Sequence, residues 1–448
     1  MANFNFQTAL THGQMFLVQS GELDGRLDPL YYQTLENFIF AKQKHYPVSK
    51  MSDCIDMQRG RFGHRPRNDP ALYGGKYPFI QTGDIVKASM NAGNIPYSQT
   101  LNELGLKTSK LQTKKAVIVT IAANIGDTAI LDYPACYPDS LIALTPKSDN
   151  LRLEYINIYF KYIKSYLENL APQAAQKNIN YQQLAPTPIV IPPLMIQDKI
   201  IAKYQQTIKE KQKKEKQAQT LLNSINAYLL NELQITLPET DNRLENRIFT
   251  VQMSEISGRA FDAESQFNKH YRIQGGKYAN KRLDKLAFLQ KGQSITSDDV
   301  IAGDYPVIAG GQSSPYTHHI ANHNGNVITV SASGSAGYVW YHDYPIFASD
   351  CTMIFSKNED EISTEFLAEV LKLKQQEIYS LAKGGVQTHV YAKDLALLQI
   401  PVPSPKIQQK IITHIRQIRQ QASNLRQQAN EQLVQTKVEI EQMILGVS

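Results

Sequence analysis

Ile189-Val190-Ile191-Pro192-Pro193-Leu194-Met195-Ile196-Gln197 decides how this chain is organised. Its apolar start reads as a short strand, the prolines stop it, and about forty residues of helix-forming, charge-rich sequence follow. The design returns as Ile400-Pro401-Val402-Pro403-Ser404-Pro405-Lys406-Ile407-Gln408, and that second helix runs almost to Ser448. Ser404 stands at the N-cap and Pro405 at the first helical position, where a missing N–H costs nothing. Two long helices, each behind a globular stretch, make the chain a duplicated unit of module plus helix.

Working outward, Phe16, Val18, Gln19, Glu22, Gly25 and Arg26 recur as Phe249, Val251, Gln252, Glu255, Gly258 and Arg259, an offset of 233, and each set continues toward a Tyr near residues 31 and 271. Further on the offset becomes 211 and stays in register from Val117 to Leu184 against Ile328 to Leu395. Val117-Ile118-Val119-Thr120 and Ile328-Thr329-Val330-Ser331 are rich in β-branched residues and run into Gly-containing turns, so both read as buried strands turning back in hairpins. Helical stretches over 151–168 and 362–380 follow. Tyr77-Pro78-Phe79-Ile80 and Tyr305-Pro306-Val307-Ile308 read as short strands, each delivering a polar loop.

The long helices carry narrow apolar stripes. Ile407, Ile411, Ile415, Ile418, Ala422, Leu425 and Ala429 step by four and three, and Ile196, Ile200, Tyr204, Ile208, Ala218, Leu222, Ile225 and Leu229 form the matching stripe. Each seam needs a second seam, and pairing the two antiparallel is the simplest solution; an intermolecular partner is the competing one. The expected architecture is a mixed α/β (α+β) chain. Residues 1–188 form one module, 189–236 the central helix, 237–399 the second module and 400–448 the terminal helix.

With 448 residues, 42% of them apolar, there is material for two cores. Cys54, Cys136 and Cys351 are scattered without zinc or disulfide spacing, which suits a reduced, cytoplasmic setting. Met1 to Val18 has no signal-peptide pattern, and the run Ala116 to Ile125 is far short of a membrane span. No P-loop, methyltransferase cofactor loop or nuclease constellation is found; His319 and His323 sit in a loop without a third metal ligand. The chain is expected to recognise or assemble rather than catalyse, holding no metal.

The net charge of +6 is distributed unevenly. Lys209, Lys211, Lys213, Lys214 and Lys216 crowd one helical segment, as a solvated face or as an anion-facing one. Arg59, Arg61, Arg65 and Arg67 share a Gly- and Pro-broken stretch with Phe62 and His64, a composition that seeks phosphate. Polar loops follow the strands and helices at Gln81-Thr82, Gln176-Lys177, Gln312-Ser313 with His318, and Gln387-Thr388-His389. Gln176 aligns with Gln387, either as a contact both modules need or as a pin for each loop.

Taken together, the repeated Tyr-Pro strands, the Gln176 and Gln387 loops and the twin Pro-rich helix entries resemble the specificity (S) subunits of type I restriction-modification systems. Pro192-Pro193-Leu194-Met195-Ile196-Gln197 matches the family's Pro-Pro-Leu-x-x-Gln pattern, while Pro403-Ser404-Pro405-Lys406-Ile407-Gln408 has serine for the second proline. The resemblance implies that each module is a target-recognition domain for one half of a split double-stranded DNA site. It implies that the helices are a spacer and a docking surface for two modification subunits, joined by restriction subunits. S-adenosylmethionine, ATP and Mg are then expected on those partners, and no cofactor on this chain. A helix from about 195 to 233 would be roughly 58 Å long, more than one duplex turn of about 34 Å. On this reading Arg59, Arg61, His64, Arg65, Arg67, Gln81, Thr82, Gln176, Lys177, Gln312, Ser313, His318, Gln387, Thr388 and His389 are the candidate DNA contacts. A non-enzymatic coiled-coil adaptor, or the recognition subunit of another phage-defence methyltransferase system, are the alternatives.

Overall fold

A computed structural model of the chain describes residues 38–63, 68–91, 93–171, 178–236, 273, 275–383 and 388–447. The opening repeat, at residues 16–32 and 249–271, lies outside them. Two compact units emerge, Met1–Lys214 with Gln427–Ser448 (unit 1) and Glu215–Arg426 (unit 2), and the division falls within both long helices.

Unit 1 runs β1 (Val48–Lys50), α1 (Met51–Cys54), β2 (Ile55–Arg59), β3 (Tyr73–Phe79), α2 (Thr82–Asn91), β4 (Gln99–Leu101), α3 (Glu103–Thr108), β5 (Leu111–Gln112), β6 (Ala116–Thr120), β7 (Thr128–Leu131), β8 (Ala135–Cys136), β9 (Leu141–Pro146), α4 (Leu153–Leu170), α5 (Tyr181–Leu184) and β10 (Pro188–Val190), then enters α6 (Leu194–Leu233). Its main sheet is antiparallel in the order β2-β9-β6-β7, and a second sheet, β4-β3-β8-β5, contains a parallel β3·β8 pair. Every residue of β6 is buried because both faces are covered. Val117 and Val119 pack with Tyr155, Ile156 and Tyr159 of α4, while Ala116 and Ile118 join Ile85 and Ala88 of α2. A strand covered on both sides reads as a continuous apolar run rather than an alternation.

Unit 2 repeats the plan with β11 (Asn280–Arg282), α7 (Leu283–Leu286), β12 (Ala287–Lys291), β13 (Tyr305–Ile308), β14 (Thr317–His318), β15 (Val327–Ser331), β16 (Val339–His342), β17 (Phe347–Ala348), β18 (Cys351–Ser356), α8 (Thr364–Leu373), α9 (Gln375–Tyr379), α10 (Ala392–Leu395) and β19 (Gln399–Pro401), followed by α11 (Pro405–Leu445). Its sheet order, β12-β18-β15-β16, is that of unit 1 position for position, and β13·β17 is again parallel. The hairpins β6·β7 and β15·β16 form as the sequence predicts. Gly126 and Gly337 take φ of +83° and +91° at the same turn position, a conformation that side chains with Cβ resist.

In each unit the strand that opens the module pairs with the strand that ends it, Val48 with Val190 and Asn280 with Pro401. The long helix therefore leaves from a point clamped at both chain ends. Within unit 1, Thr207 and Thr436 hydroxyls meet at 2.9 Å and Lys214 donates to Gln432 Oε1 at 3.2 Å. Within unit 2, Lys410 pairs with Glu232 at 3.0 Å and Arg426 donates to Gln219 at 3.2 Å. Numbers rise along one helix as they fall along the other, so the pairing is antiparallel. Ile200, Ala218, Leu229, Ile411, Ile415, Ala422 and Ala429 are buried along the seam. Among the described residues no helix is long and apolar enough to cross a membrane.

Two local expectations are corrected. Arg59 is the last residue of β2, paired with Ile142, so the loop begins at Gly60. The residues after Phe79 do not form a loop either: Thr82 opens α2, because Ile85 and Ala88 can bury against the sheet. In unit 2 the matching stretch is a loop, broken by Gly310, Gly311 and Pro315.

Candidate nucleic-acid interface

In unit 1 the segment Tyr137–Ser140 gathers three of the predicted residues. Arg59 Nε donates to the Asp139 carbonyl at 2.8 Å, the Arg61 amide donates to the Tyr137 carbonyl at 3.1 Å, and the Thr82 and Ser140 hydroxyls lie 3.2 Å apart. Gly60 allows the approach, since a Cβ there would come within 2.2 Å of the Pro138 carbonyl oxygen. Gln81, beside Thr82, is exposed and donates to Gln99 Oε1 at 2.5 Å, with its own amide bonded to Asp84. Phe62 is buried with its ring 4.9 Å from that of Phe79, so the aromatic of the arginine stretch anchors the loop to the core. His64, Arg65, Arg67, Gln176 and Lys177 lie outside the described residues. Asn178, which follows the last two, bridges to Ala122, and the Ile121 amide donates to the Ser140 carbonyl.

The face extends beyond the residues that the sequence singled out. A polar cavity of about 680 Å³ is lined by Arg59, Lys110, Lys114 and Lys147 together with Gln58 and Gln112. Lys110 and Lys114 flank β5, and the sheet brings Lys147, after β9, and Arg59, at the end of β2, to the same cavity.

In unit 2 the candidate residues described on the corresponding surface include no arginine. Gln312 and Ser313 are exposed on the loop after β13. The Gly310 carbonyl of that loop accepts from the Ser335 amide at 2.7 Å, so the loop sits on the β15·β16 hairpin turn. Against the same turn, Val390 donates to the Ala332 carbonyl at 3.1 Å, and reciprocal backbone bonds join Lys383 to His389 at 2.9 and 2.8 Å. Gln312, Ser313, Thr388 and His389 therefore flank one hairpin, and Thr388 is exposed. Gln387 lies outside the described residues. His318 does not belong with them: it is buried, its Nδ1 accepts from the Ile301 amide at 3.2 Å, and its ring packs 4.9 Å from Phe347. The edge strand β14 turns it inward.

Each module is locked to its helix by one glutamine. Gln197 Nε2 donates to the Asn150 and Pro192 carbonyls at 2.9 and 2.8 Å, and its Oε1 accepts from the Arg152 amide at 2.8 Å. Gln408 does the same with Glu361, Pro403 and Ser363, at 2.8, 2.9 and 2.9 Å. Both glutamines are buried, and all three partners match at the offset of 211. The Pro-Pro-Leu-x-x-Gln spacing is thus a joint between loop and helix.

Compared with known proteins, residues 46–227 and 276–435 match the type I restriction modification DNA specificity domain. The chain belongs to this family. Both matched stretches contain a module, its glutamine joint and most of the helix that follows. A proposed type I specificity subunit of Mycoplasma genitalium is 29% identical over 140 residues, 31% of this chain and 36% of that protein. The match thus spans little more than a third of that relative. Among solved structures, a chain from work on complex assembly and conformational transition of the type I R-M system superposes with a TM-score of 0.54 at 13% identity, over 90% of this chain and 98% of that one. The S subunit of the type I restriction-modification system from M. genitalium gives a TM-score of 0.44 at 16% identity, covering 90% and 98%. The first of these likenesses shows a shared fold over nearly the whole of both chains.

Proposed function

We propose that this chain reads a bipartite duplex DNA target, one half-site per module, as the specificity subunit of a type I restriction-modification complex. The observation that carries the reading is the duplication itself. Two modules of one sheet order, each with an exposed polar loop face, are joined to antiparallel helices by the same glutamine joint. Residues 1–188 and 237–399 are the recognition modules on this reading, and 189–236 and 400–448 the spacer helices. Arg59, Arg61, His64, Arg65 and Arg67, with Lys110, Lys114 and Lys147, take phosphates; Gln81, Thr82, Gln176, Lys177, Gln312, Ser313, Gln387, Thr388 and His389 are the candidates for base edges. Two modification subunits dock on the spacer and restriction subunits join them, and those partners hold S-adenosylmethionine, ATP and Mg. This chain supplies recognition, without methyl transfer or cleavage of its own.

The test is methylation mapping on a random DNA library with the chain co-assembled with its modification subunits. The expected product is methylated adenine in sites of two fixed blocks separated by a constant unread gap. Methylation at a single uninterrupted block, or equal binding to single strands and RNA, would remove the bipartite reading.

A further inference from the structure

Gln81 of unit 1 is exposed, yet both its backbone and its side chain are fixed. Its amide donates to Asp84 Oδ2 at 2.9 Å and its carbonyl accepts from the Ile85 amide at 3.3 Å, which sets it as the start of α2. Its Nε2 donates to Gln99 Oε1 at 2.5 Å. The backbone of Gln99 is fixed in turn, because β4 pairs it with Phe79 of β3, two residues before Gln81. Both side chains are exposed, and they help to line a hollow of about 330 Å³ with Asn68, Tyr73 and Pro138.

Unit 2 does not repeat the pair. Tyr77-Pro78-Phe79-Ile80-Gln81 corresponds to Tyr305-Pro306-Val307-Ile308-Ala309, so alanine stands where Gln81 does. Pro78 pairs with Thr100 where Pro306 pairs with Thr317, and this register places Tyr316 where Gln99 is. The joints that hold the scaffold recur in both units, as Gln197 and Gln408 do. A polar pair on the candidate face that one module keeps and the other replaces is distributed like a sequence reader.

Its chemistry narrows what it can read. The bond to Gln99 occupies one N–H of Gln81 and leaves Oε1 and a second N–H for another partner. An acceptor with a donor matches the N6 amino group and N7 of adenine, whereas guanine presents two acceptors at the same edge. The bond also turns the nitrogen end of the amide toward Gln99. A glutamine free of that bond can turn its nitrogen toward guanine instead. Ordering the pair before DNA arrives removes part of the entropy cost of binding.

We propose that Gln81 reads an adenine in the half-site of the first module, and that Gln99 is the positioning residue that orients its amide. This rests on the reading of the chain as a DNA specificity subunit.

Methylation mapping on a random duplex library, with the chain assembled with its modification subunits, tests it. Gln81→Ala is expected to lower the preference for adenine at one position of one half-site by about tenfold, within the range of a bidentate contact. Gln99→Met removes the acceptor, so it should lower preference at that same position by about threefold or more and add nothing in a Gln81→Ala background. Gln99→Glu keeps an acceptor for Gln81 Nε2, and it should retain the adenine preference while its added charge weakens binding to every duplex. The proposal is overturned if Gln81→Ala leaves every position unchanged, if Gln99→Met relaxes a different position, or if the two changes add. It is also overturned if Gln99→Glu loses the preference as Gln99→Met does. A native complex without two-block sites would overturn the specificity-subunit reading and this proposal with it, whereas two-block sites that the variants leave unchanged overturn this proposal alone.

Discussion

The two units solve the same packing problem with different chemistry. Ahead of the first strand of the unit 1 module, Phe38 and Phe40 pack edge-on against Tyr166, with ring centroids 5.1 and 4.9 Å away. Ahead of the first strand of the unit 2 module, the Ile273 amide donates to Glu377 Oε2 at 3.1 Å, and Lys374 Nζ donates to the Ile273 carbonyl and, at 2.7 Å, to Glu377. Glu377 and Lys374 occupy the positions of Tyr166 and Ile163. One of these segments is held by aromatic packing and the other by a buried ion pair, on equivalent helices. The scaffold therefore depends on burial and on backbone satisfaction at a few joints, and the identity of the sealing groups is free to diverge.

Breaking the ion pair gives the largest expected effect. Removing one partner leaves the other charge buried and alone, so Glu377→Ala should destabilise unit 2 by about 3–5 kcal/mol. Lys374→Ile with Glu377→Tyr, which copies unit 1, should cost clearly less than the single change. Hydrogen exchange followed by mass spectrometry resolves the two units, with protection lost over residues 364–379 and kept over 153–170. A single variant no worse than the double would show that the pair is not what holds this segment.

The glutamine joints should behave alike where these segments differ. Gln197→Leu and Gln408→Leu each strand one amide and two carbonyls, so each should cost its own unit about 3 kcal/mol. Unequal losses, measured by the same exchange experiment, would mean that the equal geometry hides unequal roles.

Acid should separate the units again. His342 is fully buried, its Nε2 lies 2.8 Å from Thr329 Oγ1, and burial lowers its pKa to about 4, with Lys372 and His323 adding to the effect and Asp343 opposing it. Its counterparts in unit 1 are Leu131 and Ile118, which do not titrate. A histidine held neutral in the fold binds fewer protons than in the unfolded chain between pH 4 and 6.5. Stability is thus full above about 6.5 and falls as the pH drops toward 4, by on the order of 3 kcal/mol. Unit 2 should lose exchange protection over this window before unit 1 does, and His342→Leu with Thr329→Ile should abolish the difference.

Much of this plan was legible in the sequence because periodicity and duplication are local signals. The 117–120 and 328–331 strands, the helices behind them and the antiparallel seam all follow from apolar spacing repeated at a fixed offset. The face was less legible. Lys110 and Lys114 sit in a lysine-rich run, 107–115, but Lys147 and Arg59 join them only through strand pairing, which local spacing does not show. His318 looked available because a two-residue edge strand gives no alternation from which to read its inward turn. The glutamines were visible as a repeated motif, but their partners Asn150 and Glu361 lie 47 residues away in each copy, beyond what spacing can connect.

The smallest effects concern DNA, and they divide the modules by kind of contact. Gln312 is exposed and carries both donor and acceptor groups, so Gln312→Ala should relax preference in one half-site by up to about 1–3 kcal/mol and leave the other half unchanged. Arg61 is exposed in unit 1 with its backbone fixed to Tyr137 and Ser109, which leaves the guanidinium to reach outward. A phosphate contact releases counterions without reading sequence, so Arg61→Ala should weaken every DNA about equally, by roughly 1 kcal/mol, and reduce the slope of log K against log salt by about 0.9. Titration of the assembled complex against specific and scrambled duplexes at several salt concentrations measures both quantities. An unchanged slope would take Arg61 off the phosphate path, and a loss confined to one sequence would make it a base reader.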